Sequence, residues 1–244
     1  MPTVVFVSSK GGTGKTTAAL LLALGLERSG QRVAMIDSDP NLPLLSWRKK
    51  ATLSTVRVFP APTLEELRDV MPVAAVRADW VVADTEGSVR ALRFVEALGP
   101  DLALVPVGPS SLEAIEAVRT SRSLRQTPGR RHRFVPHACL LTRVPVAIRS
   151  RSLAGVVRLL QEEQISMLET AIIEKEAFRT IFAMGGTLDS LDSSLVSGLE
   201  SARTNATQFS TAVMQLLGPR GAPATLDERD LQAILARATE GASS

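Results

Sequence analysis

A glycine-rich loop that directly follows an apolar, β-branched run constrains this chain more than any other feature of its sequence. Residues 3–8 read Thr-Val-Val-Phe-Val-Ser, which is typical of a buried strand, and residues 10–17 read Lys-Gly-Gly-Thr-Gly-Lys-Thr-Thr. Glycines let backbone N–H groups turn towards a polyphosphate, a lysine reaches its β- and γ-phosphates, and the next threonine hydroxyl can ligate Mg²⁺. We therefore predict a phosphate cradle built from Gly11, Gly12, Thr13, Gly14, Lys15, Thr16 and Thr17.

The start of this loop departs from the ordinary phosphate-binding pattern. That pattern has glycine five residues before Gly14, where this chain has Ser9 with Lys10 beside it. In this form the loop resembles that of the ParA/MinD family of P-loop ATPases, which reads Lys-Gly-Gly-x-Gly-Lys-Thr. The resemblance implies ATP and Mg²⁺ as cofactors and a homodimer closed around two ATP molecules. It also implies that Lys10 reaches the nucleotide of the other subunit and acts in catalysis together with Lys15.

Strand-like apolar runs alternate with helical patterns along the chain, which is typical of a parallel sheet covered by helices on both faces. The expected strands span residues 3–8, 32–37, 55–59, 79–84, 101–106, 135–141 and 168–173. The expected helices span residues 15–29, 64–77, 88–98, 111–125, 150–163 and 193–217. A glycine- and proline-rich segment follows. The sequence predicts a doubly wound, mostly parallel α/β P-loop domain over residues 1–217, and a linker with a short helical tail over residues 218–244.

Acidic residues at the ends of two predicted strands complete the expected site. Asp37 and Asp39 follow one strand, and Asp84 ends another; the carboxyl edge of a doubly wound sheet is where such folds bind ligands. The first pair resembles the family motif Asp-x-Asp-Pro-Gln, which implies that Asp39 orients the attacking water and Asp37 supports the Mg²⁺ shell. Asp84 fits a Walker B strand, in which it holds Mg²⁺ through water, opposite Thr16.

Two positions beside these carboxylates differ from the family pattern. Asn41 replaces the glutamine of the second motif, and Glu86-Gly87 follows the Walker B aspartate where the family often has two prolines or Thr-Pro. The switch that senses the γ-phosphate is therefore expected to differ in detail.

Weaker likenesses continue into the second half of the chain. Thr142 and Arg143 end a predicted strand where relatives bring backbone near adenine, so both are expected to bind the nucleotide. Glu113 is expected to cap helix 111–125 rather than touch the nucleotide. Segments 46–48, 141–146 and 174–178 resemble one branch of the family, the small ParA-like ATPases that include the Vir-type proteins of conjugative DNA transfer.

Positive charge is concentrated in one stretch. The formal net charge is +3, yet residues 117–161 contain no Asp or Glu and many arginines, a pattern that favours a polyanionic partner. Phe134 is the one Phe, Tyr or Trp residue in this stretch and the chain has no Tyr, so no pattern of interleaved aromatic residues is seen and contact with phosphates is expected rather than base stacking. Arg119, Arg122 and Arg125 fit a solvated helix stripe almost as well, and arginines scattered over separate faces are the alternative for the whole stretch. The resemblance implies nonspecific binding of double-stranded DNA, for which the candidates are Arg149, Arg151, Arg158 and Arg203.

Other features bear on location. No apolar stretch reaches the roughly 20 residues of a membrane span, and no signal-peptide pattern is seen, so a cytoplasmic protein is expected. The resemblance implies that it associates with the nucleoid. Acidic residues outnumber basic ones in the tail, where MinD-like proteins carry a basic membrane-binding helix, so no membrane partner is expected. The lone cysteine, Cys139, lies in an apolar run and is expected to be a buried side chain.

The motifs and the resemblance together imply a ParA-type ATPase that positions or segregates DNA or another large cargo. It would bind DNA as an ATP-bound dimer and release it on hydrolysis, and a ParB-like adaptor and DNA would stimulate turnover. Two alternatives stay open: a MinD-like membrane-associated ATPase, and an ATP-dependent small-molecule ligase or amidotransferase of the dethiobiotin synthetase type.

Overall fold

A seven-stranded parallel sheet frames the protein in the computed structural model, which describes residues 1–129, 134–145 and 151–217. The strands are β1 (Thr3–Ser8), β2 (Val33–Ser38), β3 (Arg57–Pro60), β4 (Trp80–Gly87), β5 (Leu102–Val107), β6 (His137–Val144) and β7 (Met167–Ile173). Their order across the sheet is β3-β2-β4-β1-β5-β6-β7, and each neighbouring pair runs parallel. The predicted doubly wound α/β fold is confirmed.

Helices connect the strands and cover both faces of the sheet. In the described parts of the chain they are α1 (Lys15–Arg28), α2 (Pro43–Lys50), α3 (Leu64–Val76), α4 (Ala91–Leu98), α5 (Ser111–Leu124), α6 (Arg151–Glu162), α7 (Glu176–Met184) and α8 (Leu199–Leu216). A 3₁₀ turn spans Leu188–Ser190.

The strands read as continuous apolar runs because both faces of the sheet are buried. Successive β1 side chains point to opposite faces, so Val5 and Val7 pack with α3, α4, α5 and α6. Val4 and Phe6 pack with α1, α2, α7 and α8. The nearly all-round apolarity of α1 has the same cause, since α8 lies over its outer side and covers it.

Two helices and two helix starts differ from the sequence prediction. α2 and α7 are not among the predicted helices, because contacts distant in the sequence rather than a clear helical period fix their positions, and α4 begins at Ala91 rather than at residue 88. α8 begins at Leu199 rather than at residue 193, since Gly198 adopts a left-handed conformation with φ +67° immediately before it. The predicted tail, residues 218–244, lies outside the described residues.

The sheet order fixes where a ligand can bind. β1 is central, with β4 on one side and β5 on the other, so the loop that follows β1 lies between the ends of its neighbours. β2 and β4 end beside it with their acidic residues. No helix of the described residues is long and apolar enough to span a membrane.

Candidate nucleotide-binding site

The glycines of the loop turn the chain from β1 into α1. Gly12 and Gly14 have φ of +75° and +89°, a left-handed conformation that glycine adopts without strain, and Gly14 is the N-cap of α1. The end of β6 holds this turn, because Thr142 Oγ1 donates a hydrogen bond of 2.8 Å to the Thr13 carbonyl. The positive end of the α1 dipole therefore faces the concave side of the loop, where a phosphate would bind.

The two lysines of the loop have opposite environments. Lys15 is only 6% exposed, and its Nζ donates to the Lys10 carbonyl at 3.3 Å. Burial lowers the pKa of Lys15, an effect that the nearby Asp84 and Asp39 carboxylates oppose. The Lys10 side chain is exposed, and its ammonium group has no hydrogen-bond or ion-pair partner among the described residues. Lys15 is therefore available to a ligand in this chain's own cavity, whereas Lys10 is available to a group outside it.

Two buried carboxylates lie behind the loop. Parallel pairing of β2 with β4 places Asp37 directly beside Asp84, and both side chains are fully buried. Thr16 Oγ1 donates to Asp84 Oδ2 at 2.6 Å, and the Leu45 backbone N–H donates to Asp37 Oδ2 at 3.0 Å. Burial raises the pKa of Asp84 to about 7 and the pKa of Asp37 to about 6, because the charged form has lost its water.

These residues fit a magnesium ion. Oδ1 of Asp37 and Oδ1 of Asp84 are each buried without a hydrogen-bond partner in the described structure, and such acceptors are costly to leave unsatisfied. Mg²⁺ usually binds through one or two carboxylates, water and substrate phosphates. The Thr16 hydroxyl and the two aspartates supply the protein part of that set.

Asp39 has a different setting from Asp37. It lies in the turn after β2, is partly exposed and lines the cavity. Its Oδ1 accepts hydrogen bonds from the Asn41 backbone N–H at 2.8 Å and from Asn41 Nδ2 at 3.0 Å. The residue that departs from the family motif thus orients the carboxylate assigned to the attacking water.

A cavity of about 510 Å³ extends from the loop to α7. The glycine-rich loop and Asp39 line one part of it. The segment around α7 lines another part with the apolar Ile172, Phe178 and Phe182 and with the charged Glu174, Lys175 and Arg179. This volume and this polarity suit a nucleotide with phosphates at one end and a base at the other. Sequence reasoning missed the α7 side of the cavity, although Phe178 and Phe182 are spaced i, i+4 and would share a helix face.

Arg143 and Glu113 join the far side of the cavity to α5. Arg143 has φ +51° and lines the cavity together with Thr142, so both lie where the proposed nucleotide contacts would be made. Its Nη2 donates to Glu113 Oε1 at 2.5 Å and Oε2 at 2.6 Å, and Glu113 Oε2 also accepts the Gly108 N–H at 2.8 Å. The expectation that Glu113 caps its helix was wrong, because this carboxylate bonds the preceding loop and the end of β6 instead.

The candidate DNA-binding arginines are not equivalent. Arg158 is exposed on α6, whereas Arg149 and the side chain of Arg151 lie outside the described residues. Arg203 is mostly buried; it donates to the Leu188 carbonyl and pairs with Asp189 at 3.4 Å. These partners engage its guanidinium within the chain, so the structure favours the exposed Arg158 over Arg203 as a DNA contact.

The arginines of α5 also have internal partners. Arg119 pairs with Glu116 at 2.6 Å, and Arg122 pairs with Glu163 at 2.7 Å. Arg125 donates to the Glu163 and Gln164 carbonyls at the end of α6. Their contacts favour the alternative of a solvated stripe that joins α5 to α6.

Comparison with known proteins agrees with this geometry. The model of the VirC1 protein family matches residues 1–218. Protein ParA from Rhizobium radiobacter is 29% identical over 218 residues, covering 89% of this chain and 98% of that protein. Protein virC1 from the same organism is 30% identical over 191 residues, covering 76% and 82%. The ATP complex of a Cyanothece McdA variant has a TM-score of 0.65 at 18% identity, covering 88% of this chain and 96% of that one. The chain therefore belongs to the VirC1 family and is a P-loop ATPase of the ParA/MinD type.

Proposed function

We propose that this protein closes as a dimer around two ATP molecules, binds double-stranded DNA nonspecifically in that state, and releases it on hydrolysis. The observation that carries the proposal is the contrast between the two lysines of one loop. Lys15 is buried and bonded inside the cavity, whereas Lys10 is exposed and unpaired in the described structure. An exposed cation beside a phosphate cradle is suited to an anion on a second copy.

Exposed apolar side chains near Lys10 support the proposal that a second copy covers this surface. Ile115 is 41% exposed and precedes Glu116, whose Oε2 accepts a hydrogen bond of 2.9 Å from Ser9 Oγ. Leu112 is 66% exposed one turn earlier on α5. Val89 is 75% exposed and lies two residues after Gly87, which approaches the Gly11 backbone of the loop. Large apolar groups exposed together are typical of an interaction surface.

The residues of the site have distinct roles in the proposed reaction. The loop N–H groups and Lys15 bind the phosphates, and Thr16 with Asp84 would hold Mg²⁺, which neutralises charge on the transferring phosphoryl group when bound. Asp39 orients the attacking water from the turn fixed by Asn41. Lys10 of the second copy supplies further positive charge as negative charge develops on the leaving ADP.

Sedimentation velocity with ATP and Mg²⁺ tests the dimer. In an Asp39→Ala background, which is expected to bind ATP without turnover, we expect a dimer; Lys10→Ala added to it should bind ATP through Lys15 and stay monomeric. Lys49→Ala, an exposed lysine on α2, is the matched control and should dimerise. A Lys10→Ala protein that dimerises normally would refute the ATP-sandwich arrangement.

The DNA-binding part of the proposal rests on the acid-free stretch, with Arg158, Arg149 and Arg151 as the candidates. Contacts with phosphates alone predict affinity for any duplex, and a steep loss of affinity between low and physiological salt because counterions are released. Arg158→Glu should weaken duplex binding with ATP present, whereas Arg68→Glu, an exposed arginine on α3, should not. Equal effects of both substitutions would exclude a specific α6 surface.

The proposed cellular role is positioning of DNA or another large cargo in the cytoplasm, on the nucleoid, with a ParB-like adaptor that stimulates turnover. The family match over residues 1–218 sets aside the small-molecule ligase alternative. For the MinD-like alternative, co-sedimentation of the full chain with anionic vesicles and ATP is decisive. A protein that binds vesicles but not DNA would support the MinD-like alternative, in which the ATP-bound dimer binds a membrane instead of DNA.

A further inference from the structure

Two of the segments that resemble the small ParA-like ATPases have no role in the proposed reaction, yet they lie close together in the structure. Segment 46–48 lies on α2, and segment 174–178 leads into α7. Trp47 is a large, fully buried side chain, and its Nε1 donates a 3.0 Å hydrogen bond to the Gly186 carbonyl just after α7. A buried indole N–H needs such a partner, so this bond fixes the distance between the two helices.

Backbone contact reinforces this junction. A side-chain carbon built on Gly185 would lie 2.8 Å from the Lys50 carbonyl carbon, closer than atoms can approach, so only glycine fits between the ends of α2 and α7. Lys50 Nζ also donates to the Ala183 carbonyl at 3.2 Å. α2 therefore cannot shift along α7 without breaking several contacts together.

The N-terminal end of α2 is hydrogen-bonded to Asp37 and to the turn that carries Asp39. The Leu45 N–H donates to Asp37 Oδ2 at 3.0 Å, and the Leu42 N–H donates to the Asp39 carbonyl at 2.9 Å. Leu42 has φ +48°, a left-handed conformation that is costly for leucine and persists only where its surroundings hold it. The position of α2 thus sets the geometry of the turn that carries Asp39.

α7 and Asp39 line the same cavity from different sides, α7 through Phe178 and Phe182. We propose that Trp47 is a positioning residue that couples these two sides, so that a nucleotide seated against α7 fixes the Asp39 turn through α2. The inference rests on the proposed role of Asp39. It adds a residue buried outside the cavity that controls the turnover step.

Paired tryptophan substitutions test the coupling, because the chain has only two tryptophans. Trp47→Phe keeps the apolar ring and removes the N–H donor. We expect kcat for ATP to fall about fivefold to tenfold while KM changes less than about twofold, since a lost buried hydrogen bond displaces the turn but not the cradle. Trp80→Phe is the matched control. Trp80 is nearly buried at the start of β4, the end of that strand away from the cavity, and kcat should be unchanged.

Tryptophan fluorescence gives a second, independent measurement. In Trp80→Phe the remaining emission comes from Trp47, and it should change when ADP or a non-hydrolysable ATP analogue binds. This measurement needs no Trp47 variant, so it also applies if Trp47→Phe fails to fold. An emission unaffected by either nucleotide would overturn the coupling, as would an unchanged kcat in Trp47→Phe or equal losses of kcat in both variants.

The failure of this inference can be told apart from failure of the proposed function. If Asp39→Ala hydrolyses ATP at the wild-type rate, the role of Asp39 is wrong and the coupling loses its target. If Asp39→Ala is inactive while Trp47→Phe keeps its full kcat, only the coupling is wrong.

Discussion

Gly87 is the position where the smallest addition should disturb the site most. It follows the Walker B aspartate at the end of β4, and a side-chain carbon there would lie 2.6 Å from the Gly11 nitrogen and 2.7 Å from the Gly11 α-carbon. Ordinary contact between such atoms begins at about 3.5 Å, so Gly87→Ala must push the loop back by roughly 0.9 Å. Both partners are backbone atoms, which cannot rotate away.

We expect Gly87→Ala to lower kcat/KM for ATP about 100-fold, because a displacement of about 1 Å in a phosphate-positioning group has that effect on a pre-aligned site. The free energy of unfolding should fall by about 1 to 3 kcal/mol from overpacking. Steady-state hydrolysis measures kcat/KM and urea unfolding measures the free energy of unfolding, while calorimetry with an ATP analogue shows whether nucleotide binding is weakened as well.

Gly155→Ala is the matched control for that substitution. Gly155 lies inside α6, and nothing lies within 4 Å of a carbon built on it. Alanine should leave hydrolysis unchanged and stabilise the helix by up to about 1 kcal/mol. If Gly87→Ala retains wild-type binding and turnover, the loop does not need its observed position, and the assignment of the cradle geometry is refuted.

Three further substitutions or treatments have defined outcomes. Lys15→Ala should abolish ATP binding in calorimetry because the phosphates lose the buried loop cation, and wild-type affinity would contradict the cradle. Asn205→Ala should lower the free energy of urea unfolding by about 3 kcal/mol, since this buried amide bonds the β7 backbone through both its oxygen and its nitrogen, whereas exposed Thr204→Ala should change it little. Burial raises the pKa of the Cys139 thiol to about 12, so a thiol reagent at pH 8 should react only after unfolding; rapid reaction of the native protein would contradict its burial.

Sequence reasoning succeeded where one local pattern determines the structure. The loop around Gly14 and the strand that carries Asp84 have their own local signals, and the sheet order then places them together. The same reasoning could not find α2 or α7. Their positions depend on long-range contacts such as Trp47 with Gly186, which are 139 residues apart, and no local period reports such a contact.

Charge patterning was the least informative signal. A stretch of sequence without Asp or Glu does not form a surface without them, because acidic side chains from other parts of the chain pair with its arginines. Glu163 pairs with Arg122, and Glu113 pairs with Arg143. The sequence predicts that Arg203, on a late helix, contacts DNA, yet its guanidinium donates hydrogen bonds to the Leu188 carbonyl in the 3₁₀ turn before that helix.

Asp37 and Asp39 show how neighbouring identical residues come to differ in chemistry. In a continued strand both would point to the same face, because side chains alternate with a period of two. β2 ends at Ser38, however, and the bonds from Asn41 to Asp39 turn the chain outward. Asp37 stays fully buried with one oxygen on the Leu45 N–H, which suits a fixed support behind a metal. Asp39 lines the cavity, where water can reach it, as the proposed role of orienting an attacking water requires.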